Sequence, residues 1–470
     1  MRQELTLPLL FWLSTLAGAQ GDDLALKSHR AKELMAAGRF SEAVPIYEEL
    51  VRAVPGNPGL ILNLGLAERM AGQYRKSIPH FEAVLKVDPR NIPARFSLGV
   101  AHLELGEPAL AVAPFEGVVA ADAGNTDARG LLAQALLAAG RPKESALHFR
   151  KLTELTPNDP KAWYGLGKSY ESVSTNAFEQ LRNTAPESCW MLALLADSRV
   201  TRRQYRSAFY LYRQALERNP AMAGVHTSVA EVYRKTGHLD WAADEQSREP
   251  AKPAVVNPSY RESKEYNQLA LEAFSHLSTL PESLEYHQLR AETMSAQGQH
   301  LEAAKEWRAA LAIQPGNPNF KKEVAVSLYM GGDYRSAAPL FLQFRPMPPD
   351  LNYMEGDSLL HLEEAGRAIP YLEAAVRADP KMMGAQASLG LAYARAGQPS
   401  KAVPHLEAAS PIDDDGSLSY QLSRAYQATG QPERARHALE RYQEIVKKVQ
   451  AQKDELSKEA QITAPPDGRP

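Results

Sequence analysis

The chain of 470 residues contains one cysteine, Cys189. That excludes an intrachain disulfide and a cysteine-based metal cluster, and leaves the thiol to be read as a small buried hydrophobe. An excess of charge of one sign is missing too. Lysine and arginine number 53 against 56 aspartates and glutamates, a net charge of −3. There is therefore no general electrostatic case for nucleic acid or acidic lipid as partner. Beyond the first twenty residues no apolar run is long enough to cross a bilayer. Valine and isoleucine are modest beside alanine and leucine, a balance that favours helix over strand. The phosphate-cradling G-x-x-x-x-G-K-[ST] loop, the G-x-S-x-G nucleophile elbow and the H-E-x-x-H zinc helix are all absent. Neither catalysis nor a cofactor is expected.

The first twenty residues are of another kind. Arg2 and the free amine form a short positive end, diluted by Glu4. Leu5 to Leu16 is an apolar run containing Phe11 and Trp12, and Ala17-Gly18-Ala19 supplies small residues where a signal peptidase reads. Residues 1–19 are expected to be a secretory signal peptide cut before Gln20, and the mature protein to be exported, periplasmic or secreted. The alternative is a hydrophobic first helix.

What is present in abundance is periodicity. Gly38, Gly72, Gly106 and Gly140 lie 34 residues apart, as do Gly65, Gly99 and Ala133. Tyr47, Phe81, Phe115 and Phe149 keep the same interval, and Pro55, Pro89 and Pro157 fall on the same beat. Each period reads as two helices. The first glycine of a sample unit, Gly65, is expected to let two helices approach closely. Gly72 would close the first helix in the left-handed conformation. A small residue (Ala43, Ser77, Ala111, Ala208, Ala303, Ala402) would sit at the helix crossing. Pro89 would end the unit. A recurrent proline in the second helix (Pro45, Pro79, Pro339, Pro370, Pro404) is expected in its first turn, where a missing N–H costs little.

A 34-residue period with these small, glycine, aromatic and proline landmarks resembles the tetratricopeptide repeat. Roughly thirteen units fit between residues 24 and 449, nearly all of the mature chain. The resemblance implies an all-α fold: a right-handed α-solenoid of antiparallel helix pairs whose core grows along one axis.

The frame breaks twice, and the breaks are alike. Tyr170, Ala177-Phe178 and Pro186-Glu187-Ser188 are echoed by Tyr266, Ala273-Phe274 and Pro281-Glu282-Ser283. A three-unit block is inferred, repeated once. In its leading unit, which lacks the glycine turn, either the first helix runs long or the second is displaced. The expected organisation is an N-terminal array at 20–159, an irregular unit plus two regular ones at 160–249, a second copy at 250–348, and a C-terminal array at 349–442. A charged capping helix follows at 443–462, then a disordered tail at 463–470. The proline-rich stretch 248–260 reads as a hinge or an ordered surface loop.

Few residues suggest chemistry. His102, His300, His361 and His405 each precede a glutamate by two residues but at different repeat positions, so a solvated helix face accounts for them. Asp413-Asp414-Asp415-Gly416 invites a calcium reading, but Leu422 stands where the loop needs its last glutamate, so the run reads as a turn. The resemblance itself implies a groove lined by first helices, and it places Leu62, Leu66, Phe96, Val100, Leu103, Leu137, Tyr164 and Lys168 there. Further along it places Glu231, Arg234, Glu292, Lys322, Tyr329, Tyr353, Asp357 and Tyr420. The early positions are apolar and suit an amphipathic helix or an extended apolar peptide, unless tight curvature buries them against one another. Relatives that grip the C-terminal carboxylate of chaperones use lysines, arginines and asparagines in early units, where this chain has leucines and phenylalanine. The resemblance thus implies protein or peptide partners and a scaffold. The alternatives are a small-ligand or polysaccharide-binding module using the later tyrosines, and an accessory subunit of an envelope enzyme complex.

Overall fold

The computed structural model describes residues 9–250, 256–459 and 461–466. Residues 1–8 of the expected signal peptide, 251–255 of the stretch read as hinge or surface loop, 460 of the expected capping helix and 467–470 of the expected tail lie outside the described residues. Among those described there are 24 α-helices, one 3-10 helix and no strand. The fold is an all-α solenoid of antiparallel helix pairs.

The first helices in chain order are α1 (Leu9–Ala36), α2 (Phe40–Ala53), α3 (Pro58–Met70), α4 (Tyr74–Val87), α5 (Ile92–Glu104) and α6 (Pro108–Ala121). Next come α7 (Thr126–Ala138), α8 (Pro142–Leu155), α9 (Pro160–Thr184), α10 (Cys189–Thr201), α11 (Tyr205–Arg218), α12 (Val225–Lys235) and α13 (Leu239–Ser247). The long α14 (Pro258–Leu277) precedes α15 (Leu284–Ala296), α16 (His300–Ile313), α17 (Pro318–Met330) and α18 (Tyr334–Phe341). The chain closes with α19 (Pro349–His361), α20 (Ala365–Ala378), α21 (Met383–Arg395), α22 (Pro399–Ala409), α23 (Ser417–Ala428) and α24 (Pro432–Glu459).

Local chemistry sets these bounds. Asn57, Asn91 and Asn125, also 34 residues apart, cap α3, α5 and α7. Their side-chain oxygens accept from Leu60, Ala94 and Ala128 N–H at 3.1, 3.0 and 2.9 Å. At the other end Gly38, Gly72, Gly106 and Gly140 take φ between +71° and +76°, the left-handed closure expected of them. Two units make the same turn without glycine, at Arg203 (φ 58°) and Glu363 (φ 64°). A side chain in that region costs about 1–2 kcal/mol. Glu363→Gly is therefore expected to stabilise the α19–α20 pair by roughly 1 kcal/mol, read as slower amide exchange in α20.

Two expectations about landmarks need correction. Gly65 and Gly99 do not admit a neighbouring backbone. They make room for the ring sixteen residues on: a Cβ built at Gly65 would lie 2.9 Å from Phe81, and one at Gly99 2.7 Å from Phe115. The recurrent proline is not in the first turn. Because the glycine turn closes within two residues, α2 starts at Phe40 and α4 at Tyr74, which makes Pro45 and Pro79 sixth residues of their helices. Pro45, Pro79, Pro339, Pro370 and Pro404 are all exposed, so the carbonyl that loses its N–H partner is left near water. The small residues at the crossing (Ala43, Ser77, Ala111, Ala208, Ala303, Ala402) are fully buried.

The chain divides into two units, residues 1–174 with 266–277, and residues 175–265 with 278–470. Of the three places where the chain passes between them, two fall inside helices, α9 and α14, and the third at the end of α14. These are single long helices of 25 and 20 residues. In the first unit α1 to α8 stack in pairs. There the start of α9 packs against the end of α14, with Tyr170 beside Tyr266 at 5.7 Å and Tyr164 beside Phe274 at 6.4 Å. A helix distant in sequence thus stands where a second helix would. Gly167 permits this, since a Cβ there would meet the Phe274 ring at 2.2 Å.

In the second unit α10 to α13 form one core around Tyr212, Met222 and Tyr233, with Cys189 partly buried at its margin. The remaining pairs run from α15 to α24. No break separates a last repeat from a cap at residue 442, because α24 is one helix from Pro432 to Glu459. Residues 461–466, placed partly in a disordered tail by sequence, are seated on this unit. Tyr233 Oη donates to Thr463 O at 2.6 Å and Pro465 is buried.

Candidate peptide-binding groove

In the first unit, consecutive first helices touch one another as well as their own partners, α3 with α5 and α5 with α7. The face they share carries the predicted positions. Leu62 and Leu66 on α3, Phe96 and Val100 on α5, and Tyr164 and Lys168 on α9 are each four apart, so each pair lies on one helix face. Leu103 and Leu137 take the next turn of α5 and α7.

All eight are half-buried. Leu62 and Leu66 rest on the Phe81–Leu98 core, and Phe96, Val100 and Leu103 on the Phe115–Leu132 core. Phe96 meets Phe115 edge-on at 5.9 Å. Lys168 pairs with Glu171 at 2.5 Å. Leu62, Leu66, Phe96, Val100 and Leu103 thus pack on the core by one edge and are part-exposed by the other.

Two features went unread in the sequence. The residue in register with Leu62, Phe96 and Tyr164 on α7 is Gly130, and a Cβ there would meet only Leu152 Cδ1, at 3.8 Å. The apolar stripe therefore has a notch of one side chain between α5 and α9. In register with Leu103 and Leu137, α3 carries Arg69, whose buried Nε has no hydrogen-bond partner. Burial holds its guanidinium below the ordinary value. The 34-residue register could have exposed both, as a glycine and a cation at otherwise apolar positions.

The later positions, in the second unit, are arranged differently. Asp357 is buried and accepts from Tyr329 Oη at 2.9 Å and Ser388 Oγ at 2.6 Å. Burial, with Asp357 alongside, pushes the Tyr329 and Tyr353 hydroxyls up. Lys322 pairs with Asp350 at 2.8 Å, and Arg234 with Glu231 at 2.8 Å. Glu292 is half-buried on α15. Tyr420 is 42% exposed, with its ring 5.5 Å from that of Tyr442. The structure brings Tyr329, Tyr353 and Asp357 together but leaves Glu231, Arg234 and Tyr420 apart from them.

Of the four histidines read as solvated, His102 is not, His300 and His405 are half-buried, and His361 is exposed. His102 is buried and bonded to Glu107 at 2.9 Å, His405 binds Gln386 Oε1 at 2.7 Å, and His361 stacks on Tyr334 at 4.3 Å. The acidic run starts a helix: Asp413 accepts from Leu418 and Ser419 N–H at 3.0 and 2.8 Å, and Gly416 takes φ +84°. Among the described residues no group of three histidine, cysteine, aspartate or glutamate side chains could hold a metal ion.

Family models for the tetratricopeptide repeat match residues 29–74, 62–126 and 353–417, then 103–168, then 417–441. The chain carries tetratricopeptide repeats. Among curated proteins no match is found. Solved structures similar to this chain include a mutant of MamA (26% identity over 32% of this chain and 88% of that one, TM-score 0.30). Another is a tetratricopeptide repeat protein from Parabacteroides merdae (14%, 65% and 99%, TM-score 0.34). A third is yeast Tom70 (14%, 94% and 96%, TM-score 0.32). Tetratricopeptide repeats are in general protein-binding scaffolds. No helix among the described residues is long and apolar enough to cross a membrane.

Proposed function

We propose that this chain is a protein-interaction scaffold, with no catalysis of its own, that seats peptide or helical segments along the first-helix face of α3, α5, α7 and α9. The observation that carries this is the half-exposed apolar stripe interrupted by the Gly130 notch. A stripe used only for packing gains nothing from a glycine in mid-helix, which costs about 0.5–1 kcal/mol relative to alanine. A ligand side chain entering the notch would gain from it. The half-buried guanidinium of Arg69 adds a positive charge for a carboxylate at one end. The segment that fits is apolar over two or three helical turns with an acidic residue towards α3.

The scaffold is further proposed to work in an exported compartment, on the strength of the Leu5–Leu16 run followed by Ala17-Gly18-Ala19. A polysaccharide reading would rest on Tyr420 alone among the later tyrosines, since Tyr329 gives its hydroxyl to Asp357 and Tyr353 is half-buried.

The test is capture from an exported-protein extract by wild type, by Gly130→Leu, and by the triple variant Leu66→Glu, Phe96→Glu, Val100→Glu. A photocrosslinker at exposed Gln134 reports contact. Both variants are expected to keep wild-type helicity and lose at least about tenfold in capture of the crosslinked partner. Equal capture by all three would place the binding surface elsewhere.

A further inference from the structure

Residues 461–466, Gln-Ile-Thr-Ala-Pro-Pro, return to the second unit at its turn edge. Gln461 and Ile462 wall a cavity with residues 203–207, at the α10–α11 turn, and with Thr236 and His238, at the α12–α13 turn. Ile462 also packs on the core of α10 to α13. Three residues on, Pro465 is buried.

The hydrogen bonds keep the same interval. Tyr233 Oη donates to the Thr463 carbonyl at 2.6 Å, and Arg248 Nη2 to the Pro466 carbonyl at 2.9 Å. Side chains inserted at 462 and 465, and carbonyls read at 463 and 466, are both three-residue repeats. A polyproline II helix has three residues per turn, so positions three apart share a face. The local sequence favours that backbone. Proline fixes φ near −65°, and the residue before a proline is pushed into extended conformations, which applies to Ala464 and to Pro465 itself.

The receiving surface is also suited to such a segment. Tyr233, fully buried as a side chain, is braced by Trp241 at 5.7 Å, and His238 stacks on Trp241 at 4.2 Å. Arg248 is held by Asp244 at 2.9 Å. Two donors fixed by packing and by an ion pair read main-chain carbonyls, while Ile462 lies against the core that holds Tyr233 and Trp241 and beside His238. Aromatic-lined surfaces with fixed donors are how proline-containing segments are recognised.

We propose that the turn edge of α10 to α13 is a binding site for an extended, proline-containing peptide with an apolar residue three positions before a proline, and that residues 461–466 of this chain fill it in cis. The site is separate from the groove of the first unit and stands or falls independently of it. Tethering gives the tail an effective concentration in the millimolar range, so an incoming peptide of the same kind competes at a disadvantage. The tail thus masks the site until it is released.

The test uses the full chain and a fluorescent peptide of residues 459–470, followed by anisotropy. Ile462→Asp frees the site by weakening the tail and leaves the receiving surface intact. This variant is expected to bind the peptide at least about tenfold more tightly than wild type. Within it, adding Tyr233→Phe or Arg248→Gln removes one carbonyl donor and is expected to weaken binding about fivefold. Tyr233→Phe keeps the buried ring, and Arg248→Gln stands as the second variant should the first unfold. A peptide with Pro465 and Pro466 replaced by glycine is expected to bind at least about tenfold more weakly. No gain from Ile462→Asp overturns the masking. Unchanged binding in both donor variants overturns the site, and equal binding of the glycine peptide overturns the ligand class.

Discussion

Glu355→Leu is expected to stabilise the α18–α20 region by roughly 3 kcal/mol at pH 8, and by much less at pH 4.5. Glu355 is 1% exposed on α19, immediately before Gly356. Other repeats place leucine before the matching glycine or its equivalent: Leu64, Leu98, Leu132, Leu166 and Leu389, all buried. A carboxyl therefore stands in a core register, and its Oε2 has no hydrogen-bond partner. Burial lifts its pKa from 4.5 to about 7, against the pull of Arg367 and with the push of Glu364. Between those two values the unfolded chain is ionised while the folded chain keeps its proton. Stability is fully present below pH 4.5, falls as pH rises towards 7, and levels off above. Glu355→Gln removes the titration but keeps the polar atoms, so it should flatten the pH profile without the added apolar burial that leucine brings. The measurement is amide exchange in α19 and α20 from pH 4.5 to 8, corrected for intrinsic rates. Parallel profiles for wild type and Glu355→Leu would mean that the carboxyl reaches water.

The repeat could be read from sequence because its landmarks answer to local backbone chemistry. A glycine at φ near +70° closes a helix wherever it occurs, and an aromatic opposite a glycine needs no knowledge of distant chain. The capping asparagines belong to the same local class, yet they went unread beside the more conspicuous glycines. The proline expectation failed by a fraction of a turn, since helix starts depend on the tightness of the preceding loop. What stayed out of reach was non-local. Tyr170 and Tyr266 were seen as matching landmarks of two copies, whereas in the fold they face each other. Periodicity shows that a helix has an apolar face but not which distant helix covers it. The same limit applies to Ile462 and Pro465, whose partners lie over two hundred residues away in α12 and α13. Of the groove, the eight side chains were legible by register. Gly130 and Arg69 were legible in principle, as departures from that register.

Phe115→Ala is expected to cost about 3–5 kcal/mol, the usual range for emptying a buried aromatic site. Its ring is fully buried, edge-on to Phe96, and lies over Gly99. Gly99→Ala attacks the same contact from the other side. The added Cβ would sit 2.7 to 2.9 Å from three ring atoms, and Phe96 and the surrounding core leave the ring little room to yield. Overpacking of this kind costs roughly 1–3 kcal/mol. Gly130→Ala, the same substitution one repeat on in a first helix, meets only Leu152 at 3.8 Å and should gain about 0.5–1 kcal/mol through helix propensity. The decisive comparison is the double variant. Once Phe115 is alanine, the Cβ at position 99 enters vacated space and gains the same helix propensity, so Gly99→Ala should change from destabilising to neutral or favourable. Because a repeat array need not unfold in one step, the readout is amide exchange in α5 and α6 beside the urea midpoint. If Gly99→Ala costs the same with and without the ring, the glycine serves backbone approach after all. If the sign reverses, the 34-residue glycine and the aromatic sixteen residues later are one packing unit.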